Sequence, residues 1–267
     1  MMAPMSASAP SPARLEVRDL SVRFGGVTAL AGVSFAVEPG GVTSLIGPNG
    51  AGKTTAFNVI TGYQRPTTGE VAYAGARLTG LRPCEVAAAG VVRTFQKTSV
   101  FPALTVLDNA LIGLHRRGRT GLAAALLGWR RVRDENARLR EEAAALLATV
   151  GLAARGQVAA GVLSYGDQRR VELAVALAAD PRLLLLDEPA SGMAPTEKAE
   201  LSGLIRRISE SGRTVLLVEH DMRVVMGISD RVLVLHHGRL IADGPPAEVQ
   251  RDPEVVRAYL GAGHEAA

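Results

Sequence analysis

The sequence contains a single cysteine, Cys84, among its 267 residues, and so cannot form an internal disulfide. That usage suits a reducing compartment, and we expect Cys84 to be a packing or surface residue without chemistry of its own. The sequence also lacks a run of about 18 uninterrupted apolar residues, so we predict no membrane-spanning helix. Residues 1–13 lack the early positive charge and the apolar run of a secretory signal, and we predict a disordered tail there.

Aromatic residues are also scarce, at 4%, although 47% of the chain is hydrophobic. The core must therefore be built from Leu, Val, Ile and Ala, as in a parallel sheet covered by helices. The sequence has no long basic block interleaved with aromatics, so we predict no nucleic-acid partner. A net charge of +4 and a pI near 9.6 permit contact with a nucleotide or an anionic lipid.

The pattern of apolar residues predicts an α/β chain. Alternation over residues 15–22 predicts an edge strand of an N-terminal antiparallel β subdomain, and residues 33–37 predict a further short strand. Helical spacing over residues 134–150 predicts a helix within an α-helical subdomain inserted at about 97–165. The other predicted elements are strands at 42–46, 183–186 and 214–218, a hairpin at 231–235 and 239–242, a helix from about Lys53, and helices at 196–209 and 253–260.

A glycine-rich loop follows the strand at 42–46 and precedes a helix, and it matches the pattern G-x-x-x-x-G-K-[S/T]. Glycines let backbone N–H groups point at phosphate oxygens, and the N-terminus of the following helix attracts them through its partial positive charge. Lys53 is placed to reach the β- and γ-phosphates, and the Thr54 hydroxyl to ligate Mg²⁺. The predicted ATP-binding residues of this loop are Gly47, Pro48, Asn49, Gly50, Ala51, Gly52, Lys53, Thr54 and Thr55. This loop alone leaves kinases, GTPases, helicases and transporters open, although the N-K-x-D motif of GTPases does not occur in the sequence.

Two carboxylates, Asp187 and Glu188, directly follow the apolar run at 183–186. A buried parallel strand delivers such residues at its carboxyl end, which is where α/β sheets bind ligands. We expect Asp187 to hold Mg²⁺, directly or through water. We expect Glu188 to be the catalytic base that polarises the attacking water.

Residues 163–168 read L-S-Y-G-D-Q, which resembles the L-S-G-G-Q signature of the ATP-binding-cassette ATPases. Ser164 is expected to cap a helix, with Asp167 in the reciprocal position of a capping box, leaving an exposed helix start that suits an anion. The resemblance implies that Ser164 and Gly166 bind the γ-phosphate of ATP held by a second cassette. Tyr165 and Asp167 depart from the commonest signature, but the branch that imports branched-chain amino acids carries a similar variant.

Three further residues match family positions. The resemblance implies that Gln96 senses Mg²⁺ and the lytic water, that His220 contacts the γ-phosphate, and that Phe24 stacks on adenine, for which any π-face suffices. Ala194 stands where the family usually has a polar residue in its D-loop, and its side chain has no polar group for signalling between cassettes.

The resemblance covers about residues 15–262 and implies a P-loop NTPase core with a mainly parallel sheet, in a single domain at 14–262 before a tail at 263–267. Residues 101–109, 113–117 and the ending from Gly244 look like the branched-chain amino acid import ATPases. That branch implies two membrane-spanning permease subunits, a second cassette, an indirect solute-binding protein, and a peripheral location on the cytoplasmic face of the inner membrane.

Two other functions remain open at the sequence level. A closely similar ATPase powers lipopolysaccharide export, but it typically lacks the arginine-rich stretch at 116–133, which is either a solvated face or a contact for phospholipid headgroups. A soluble cassette acting on DNA or ribosomes is disfavoured. DNA-repair cassettes place hundreds of residues between the phosphate loop and the signature, and ribosomal ones carry two cassettes in one chain.

Overall fold

The computed structural model describes residues 13–94, 100–114 and 129–261. The predicted tails, Gln96 and most of the arginine-rich stretch therefore lie outside the described residues. The strands are, in chain order, β1 (Leu15–Phe24), β2 (Val27–Val37), β3 (Val42–Ile46), β4 (Thr68–Tyr73), β5 (Ala76–Arg77), β6 (Val91–Arg93), β7 (Leu183–Asp187), β8 (Thr214–Val218), β9 (Arg231–His236) and β10 (Arg239–Gly244). The described helices are α1 (Lys53–Ile60), α2 (Pro83–Ala88), α3 (Val106–Leu114), α4 (Trp129–Thr149), α5 (Tyr165–Ala178), α6 (Pro195–Glu210), α7 (Met222–Ile228), α8 (Pro246–Val249) and α9 (Pro253–Gly261).

The N-terminal sheet is antiparallel, in the order β2–β1–β4–β5. Leu15 of β1 pairs with Val37 on one side and with Tyr73 on the other, so β1 is an inner strand. The prediction of an edge strand at 15–22 was therefore wrong. Alternation of polar and apolar residues reports that one face of a strand is buried, and it carries no information on whether both strand edges are hydrogen-bonded.

The second sheet has the order β10–β9–β3–β8–β7–β6. All neighbours in it pair in parallel except β10, which forms the predicted antiparallel hairpin with β9. The predicted mainly parallel sheet is thus confirmed, and every residue of β3, β7 and β8 is buried. The short strand β6 was not predicted, because its three residues are too few to show a period.

The two faces of the parallel sheet are covered by different layers. Leu184 and Leu186 of β7 face a cluster built mainly from α3, α4, α5 and α6. Leu183 and Leu185 face the opposite cluster, which includes α1 and the N-terminal sheet. Successive side chains of a strand point to opposite faces, so one apolar run supplies both halves of the core.

The helical segment between β6 and β7 contains α3 and α4, which pack on α5. The predicted helix at 134–150 exists, but it begins earlier, at Trp129. The packing of α5 onto α3 and α4 continues the helical layer beyond residue 165, and the predicted domain bounds stay a prediction. Among the helices within the described ranges, none combines the length and the apolar content needed to cross a bilayer.

Candidate functional site

The glycine-rich loop turns sharply between the end of β3 and the start of α1. Gly47 has φ 149° and Gly52 has φ 105°. A Cβ atom at Gly47 would lie 2.0 Å from the Leu235 carbonyl oxygen, and one at Gly52 would lie 2.6 Å from that of Ala29. Glycine is therefore required at both positions, since the loop is pressed against the ends of β9 and β2.

Lys53 lies inside this loop and is only 8% exposed. Its Nζ donates to the carbonyl oxygens of Gly47, at 2.7 Å, and Pro48, at 2.9 Å. Burial lowers the pKa of Lys53, and the nearby carboxylates of Glu188 and Asp187 oppose that effect. The ammonium group is thus enclosed by the loop and lies near both predicted acidic residues.

The outer surface of the loop is open to solvent. Asn49, Gly50 and Thr54 are exposed and Thr55 is half-buried, whereas Ala51 is buried and its carbonyl accepts from the Gly238 N–H at 3.1 Å. The loop therefore combines a fixed inner side with accessible backbone at a helix start. A helix N-terminus with a nearby lysine is a ready site for a phosphate group.

The acidic pair lies where β7 ends beside β8. Asp187 is 2% exposed and pairs in register with Val218. Glu188 follows with φ 48°, in the left-handed region that non-glycine residues rarely adopt. Its N–H donates to the Val218 carbonyl at 2.8 Å, which holds this conformation. Such strain costs about 1–3 kcal/mol and is concentrated at functional sites.

His220 follows β8 on the same edge of the sheet. Its ring is 56% exposed, and its Nδ1 lies 3.8 Å from Glu188 Oε2. The structure therefore brings together four of the predicted site residues, namely Lys53, Asp187, Glu188 and His220. The fifth predicted residue of this group, Gln96, lies outside the described residues.

Glu219 belongs to this site but was not singled out by the sequence analysis. It is 1% exposed, and its carboxylate accepts from the Ala190 N–H at 2.8 Å and from the His220 N–H at 3.2 Å. Burial raises the pKa of Glu219. The carboxylate thus joins the loop after Glu188 to the backbone of His220. The available signal was its place between an apolar strand and a histidine.

At the start of α5, one of the two predicted hydrogen bonds of the capping box is present. Ser164 is exposed, and its Oγ accepts from the Asp167 N–H at 3.2 Å. The predicted reciprocal role of the Asp167 side chain was wrong. That carboxylate instead pairs with Arg155, and with Arg170 at 3.8 Å, because the 3-10 helix at Ala153–Arg155 and the next turn of α5 offer it charged partners.

Gly166 is buried, although it lies in the first turn of the helix whose start was predicted to be exposed. A Cβ atom there would lie 2.6 Å from Glu197 Oε1 and 3.3 Å from the Met193 methyl group. Glu197 is held in place because its other oxygen accepts from the Ala194 N–H at 3.0 Å. The first turn of α5 is therefore packed on the start of α6, and Ser164 and Tyr165 remain its exposed residues.

Phe24 ends β1 and is 50% exposed, so it does not belong to the core. It pairs with Val27 at the tip of the β1–β2 hairpin, and Ala29 and Leu30, further along β2, lie against Gly52. The aromatic face is thus accessible on the strand pair that packs against the phosphate loop. Ala194 precedes α6 and is also exposed, with no polar group to offer.

A mainly parallel sheet whose strand β3 runs through a lysine-containing loop into α1, with two carboxylates at the end of β7, defines a P-loop NTPase. Comparison with known proteins narrows this class. The family model described as ABC transporter matches residues 30–191, and the model described as branched-chain amino acid ATP-binding cassette transporter matches residues 239–265. The chain therefore belongs to the ABC transporter family, and it is an ATP-hydrolysing cassette.

Individual proteins show the same relationship. The high-affinity branched-chain amino acid transport ATP-binding protein LivG of Escherichia coli K12 is 43% identical over 248 residues, which cover 92% of this chain and 97% of LivG. A nucleotide-free ATP-binding cassette from an ABC transporter has a TM-score of 0.80 at 34% identity, covering 92% of this chain and 98% of its own. A dimeric cassette in a post-hydrolysis state with ADP and Pi has a TM-score of 0.72 at 25% identity, covering 87% and 98%.

Proposed function

We propose that this chain is the ATP-binding and ATP-hydrolysing subunit of a transporter that imports branched-chain or other hydrophobic amino acids or related small solutes. The observation that carries the hydrolytic part is the enclosure of Lys53 beside Asp187 and Glu188. The likeness to LivG over 92% of the chain supports the substrate class. The absence of disulfide chemistry and the basic pI are compatible with a peripheral place on the cytoplasmic face of the inner membrane.

In this proposal the phosphate loop binds the phosphates of ATP and Phe24 binds its adenine. Lys53 leaves the carbonyls of Gly47 and Pro48 and places its charge on the β- and γ-phosphates. Backbone N–H groups of the loop at 47–55 bind the phosphate oxygens, and Pro48, which has no N–H, contributes none of them. Phe24 stacks on adenine. Lys53 is 8% exposed and donates to two carbonyl oxygens, so the exchange of these contacts for phosphate oxygens replaces neutral acceptors with charged ones.

The residues present also fit Mg²⁺, which prefers oxygen ligands and binds through one or two carboxylates together with phosphates. Thr54 offers a hydroxyl and Asp187 a carboxylate, and Gln96 is the third predicted ligand. When bound, Mg²⁺ supplies positive charge that neutralises the phosphate oxygens. The carboxylate of Asp187 is buried at a strand end, so its direction is set before any nucleotide arrives.

Hydrolysis is proposed to depend on the pair of Glu188 and His220. Glu188 accepts a proton from the attacking water or orients that water, from a position directly after β7 where its backbone has φ 48°. His220, 3.8 Å from Glu188, contacts the γ-phosphate. Glu219 accepts a hydrogen bond from the His220 N–H and so keeps the side chains of His220 and Glu188 close to each other.

We further propose that Ser164 and Gly166 act on ATP held by a second cassette, identical or homologous. The start of α5 is exposed at Ser164, as an interface position requires. The buried state of Gly166 implies that the Glu197 carboxylate moves when the interface forms, since an anion beside this helix start would repel a phosphate. The dimeric structure of a related cassette supports a pair.

Two permease subunits are the proposed membrane partners, with a solute-binding protein acting indirectly. Two adjoining segments expose large apolar side chains, and they are joined by hydrogen bonds from the Ala160 N–H to the Leu104 carbonyl, at 2.9 Å, and from Gly161 to Pro102, at 3.0 Å. The exposed side chains are Phe101, Leu104, Val158 and Val162. Such a patch beside α3 suits contact with an apolar partner helix.

The proposal is tested by reconstituting the chain with its permeases and binding protein in vesicles and measuring ATP-dependent uptake of labelled leucine. Uptake should require ATP on the side of the cassette and should be lost with Glu188→Gln. ATP hydrolysis without uptake of any amino acid, amide or urea would contradict the substrate class. Release of lipopolysaccharide from the membrane in the same system would favour the export alternative.

A further inference from the structure

Arg93 contacts the carboxylate that is proposed to serve Mg²⁺. It ends β6, whose parallel register places it opposite Leu185 of β7. Its Nη2 donates to Asp187 Oδ2 at 2.5 Å, and its Nη1 donates to Asn58 Oδ1 at 2.6 Å. Asn58 lies on α1, the helix that follows the phosphate loop. One guanidinium group therefore joins two strands and the phosphate-binding helix.

The surroundings hold the guanidinium group in one orientation. The side chains of Arg93 and Asp187 are 9% and 2% exposed. The guanidinium carbon of Arg93 lies 5.5 Å from the centroid of the Phe57 ring, which is fully buried on α1. A planar fork with two fixed acceptors and an aromatic neighbour has little rotational freedom, and lysine cannot reproduce this geometry.

We propose that Arg93 is a positioning residue for metal-dependent nucleotide binding: by spanning Asn58 and Asp187, it fixes the Asp187 carboxylate relative to α1. This inference rests on the proposed magnesium role of Asp187. The contact engages Oδ2, so Oδ1 is the oxygen that Arg93 leaves to other ligands. Partners that orient a metal ligand typically change metal affinity by about 10- to 100-fold when removed.

Replacement of Arg93 should change Mg²⁺ binding in opposite directions depending on whether Arg93 acts by positioning Asp187 or by its charge alone. A positive charge beside a magnesium site repels the metal, so an Arg93 acting by charge alone would weaken Mg²⁺ binding, and its neutralisation would strengthen it. Positioning has the opposite consequence. Loss of the fork lets the carboxylate turn, and Mg²⁺-dependent nucleotide affinity falls even when the charge is kept.

The test measures the affinity for a fluorescent ATP analogue with Mg²⁺ and again with EDTA, in a Glu188→Gln background that suppresses turnover. The ratio of the two affinities isolates the metal-dependent part. Arg93→Lys keeps the charge and loses the fork, and Asn58→Ala keeps Arg93 and removes its second anchor. We expect the ratio to fall on the order of 10-fold for Arg93→Lys and less for Asn58→Ala, with affinity in EDTA little changed.

Controls distinguish the ways in which the inference can fail. Asp187→Asn must lower the ratio, and an unchanged ratio there would overturn the metal role of Asp187 and this inference with it. If Asp187→Asn lowers the ratio while Arg93→Lys and Asn58→Ala leave it unchanged or raise it, the positioning role alone is wrong. Retained affinity in EDTA shows that a variant is folded, so a selective loss cannot arise from general destabilisation.

Discussion

Two helices of this chain begin at sites suited to an anion, but their surroundings differ. The start of α1 encloses Lys53, which is 8% exposed and lies near two carboxylates. The start of α5 exposes Ser164 and Tyr165 and packs its Gly166 against Glu197. The first site has its own cation and its own acids, whereas the second offers a helix end and hydroxyls. Only the first resembles a complete phosphate site within one subunit.

The ionic contacts follow the same division. Near α1, the Arg93–Asp187 pair is buried, and removal of one partner from such a pair typically costs about 3–5 kcal/mol. Near α5, Asp167 pairs with Arg155, whose side chain is 54% exposed, and such pairs contribute about 0–1 kcal/mol. The charged contact of the first site is therefore built into the core, whereas the contact of Asp167 with Arg155 at the second site is partly exposed. A buried Arg169–Glu172 pair lies one turn further along α5.

The largest expected effect is on the rate of ATP hydrolysis, when the proposed base of the first site is replaced. Glu188→Gln should bind ATP but hydrolyse it about 10² to 10⁴ times more slowly, because removal of a positioned base costs about this much. Steady-state phosphate release from the assembled transporter measures the loss. Lys198→Ala, which removes a partly buried ion pair with Asp221, is a control on α6 and should change turnover far less. Near-normal turnover of Glu188→Gln would remove it from the role.

The next effect tests binding at the first site. Lys53→Ala should weaken affinity for ATP by about 10- to 100-fold, since a hydrogen bond to a charged group contributes about 1.5–3 kcal/mol. Titration with a fluorescent ATP analogue measures this affinity. Ser164→Ala is the comparison, because the second site should matter little to a single cassette. Equal affinities for wild type and Lys53→Ala would contradict the phosphate-loop assignment.

A mixing experiment tests whether the two sites meet across a pair. Chains carrying Lys53→Ala are combined with chains carrying Ser164→Arg, each of which should be inactive alone. If the signature acts on the partner's nucleotide, the mixed dimer has one site free of both changes and one site with both. ATPase activity should then return to a fraction of the wild-type value. A strictly monomeric preparation with full, cooperative turnover would end this interpretation.

The pH dependence of the free energy of unfolding tests whether burial at the first site raises the pKa of Glu219. Its folded-state pKa is raised above 4.5, so the unfolded chain releases this proton first as pH rises. The free energy of unfolding of wild type relative to Glu219→Gln should therefore decline as pH rises from about 4.5 to the raised folded pKa, and should then stay level. Urea unfolding at several pH values measures the difference. A difference that grows with pH would contradict the burial effect.

The smallest effect concerns the cap of α5. Ser164→Ala should lower the free energy of unfolding by about 1 kcal/mol, the usual loss for an N-cap side chain. Asp167→Ala, which removes only partly exposed ion pairs, should cost less. Denaturant unfolding compares the two variants. A larger loss for Asp167→Ala would mean that its carboxylate, rather than the Ser164 hydroxyl, holds the helix start.

Several features were determined by the sequence itself, because the residues concerned are neighbours in the chain. The phosphate loop, Lys53 and the start of α1 form one contiguous segment, and local glycine and lysine chemistry specifies them. The buried strands β3, β7 and β8 were predicted from apolar runs, and the β9–β10 hairpin from the two segments at 231–235 and 239–242. The Ser164 cap was likewise a local pattern.

Other features depended on contacts between residues far apart in the chain. Arg93 and Asp187 are separated by 94 positions, and Glu219 and Ala190 by 29, so no period or motif connects them. β1 is an inner strand because β2 and β4 pair with its two edges. Gly166 is covered because the start of α6 places Glu197 against it. Local sequence sets the conformation of a segment and the chemistry of its side chains. The partner of a buried charge is chosen only when the sheet and helices bring distant segments together, since the cost of burying that charge must be met by a specific neighbour.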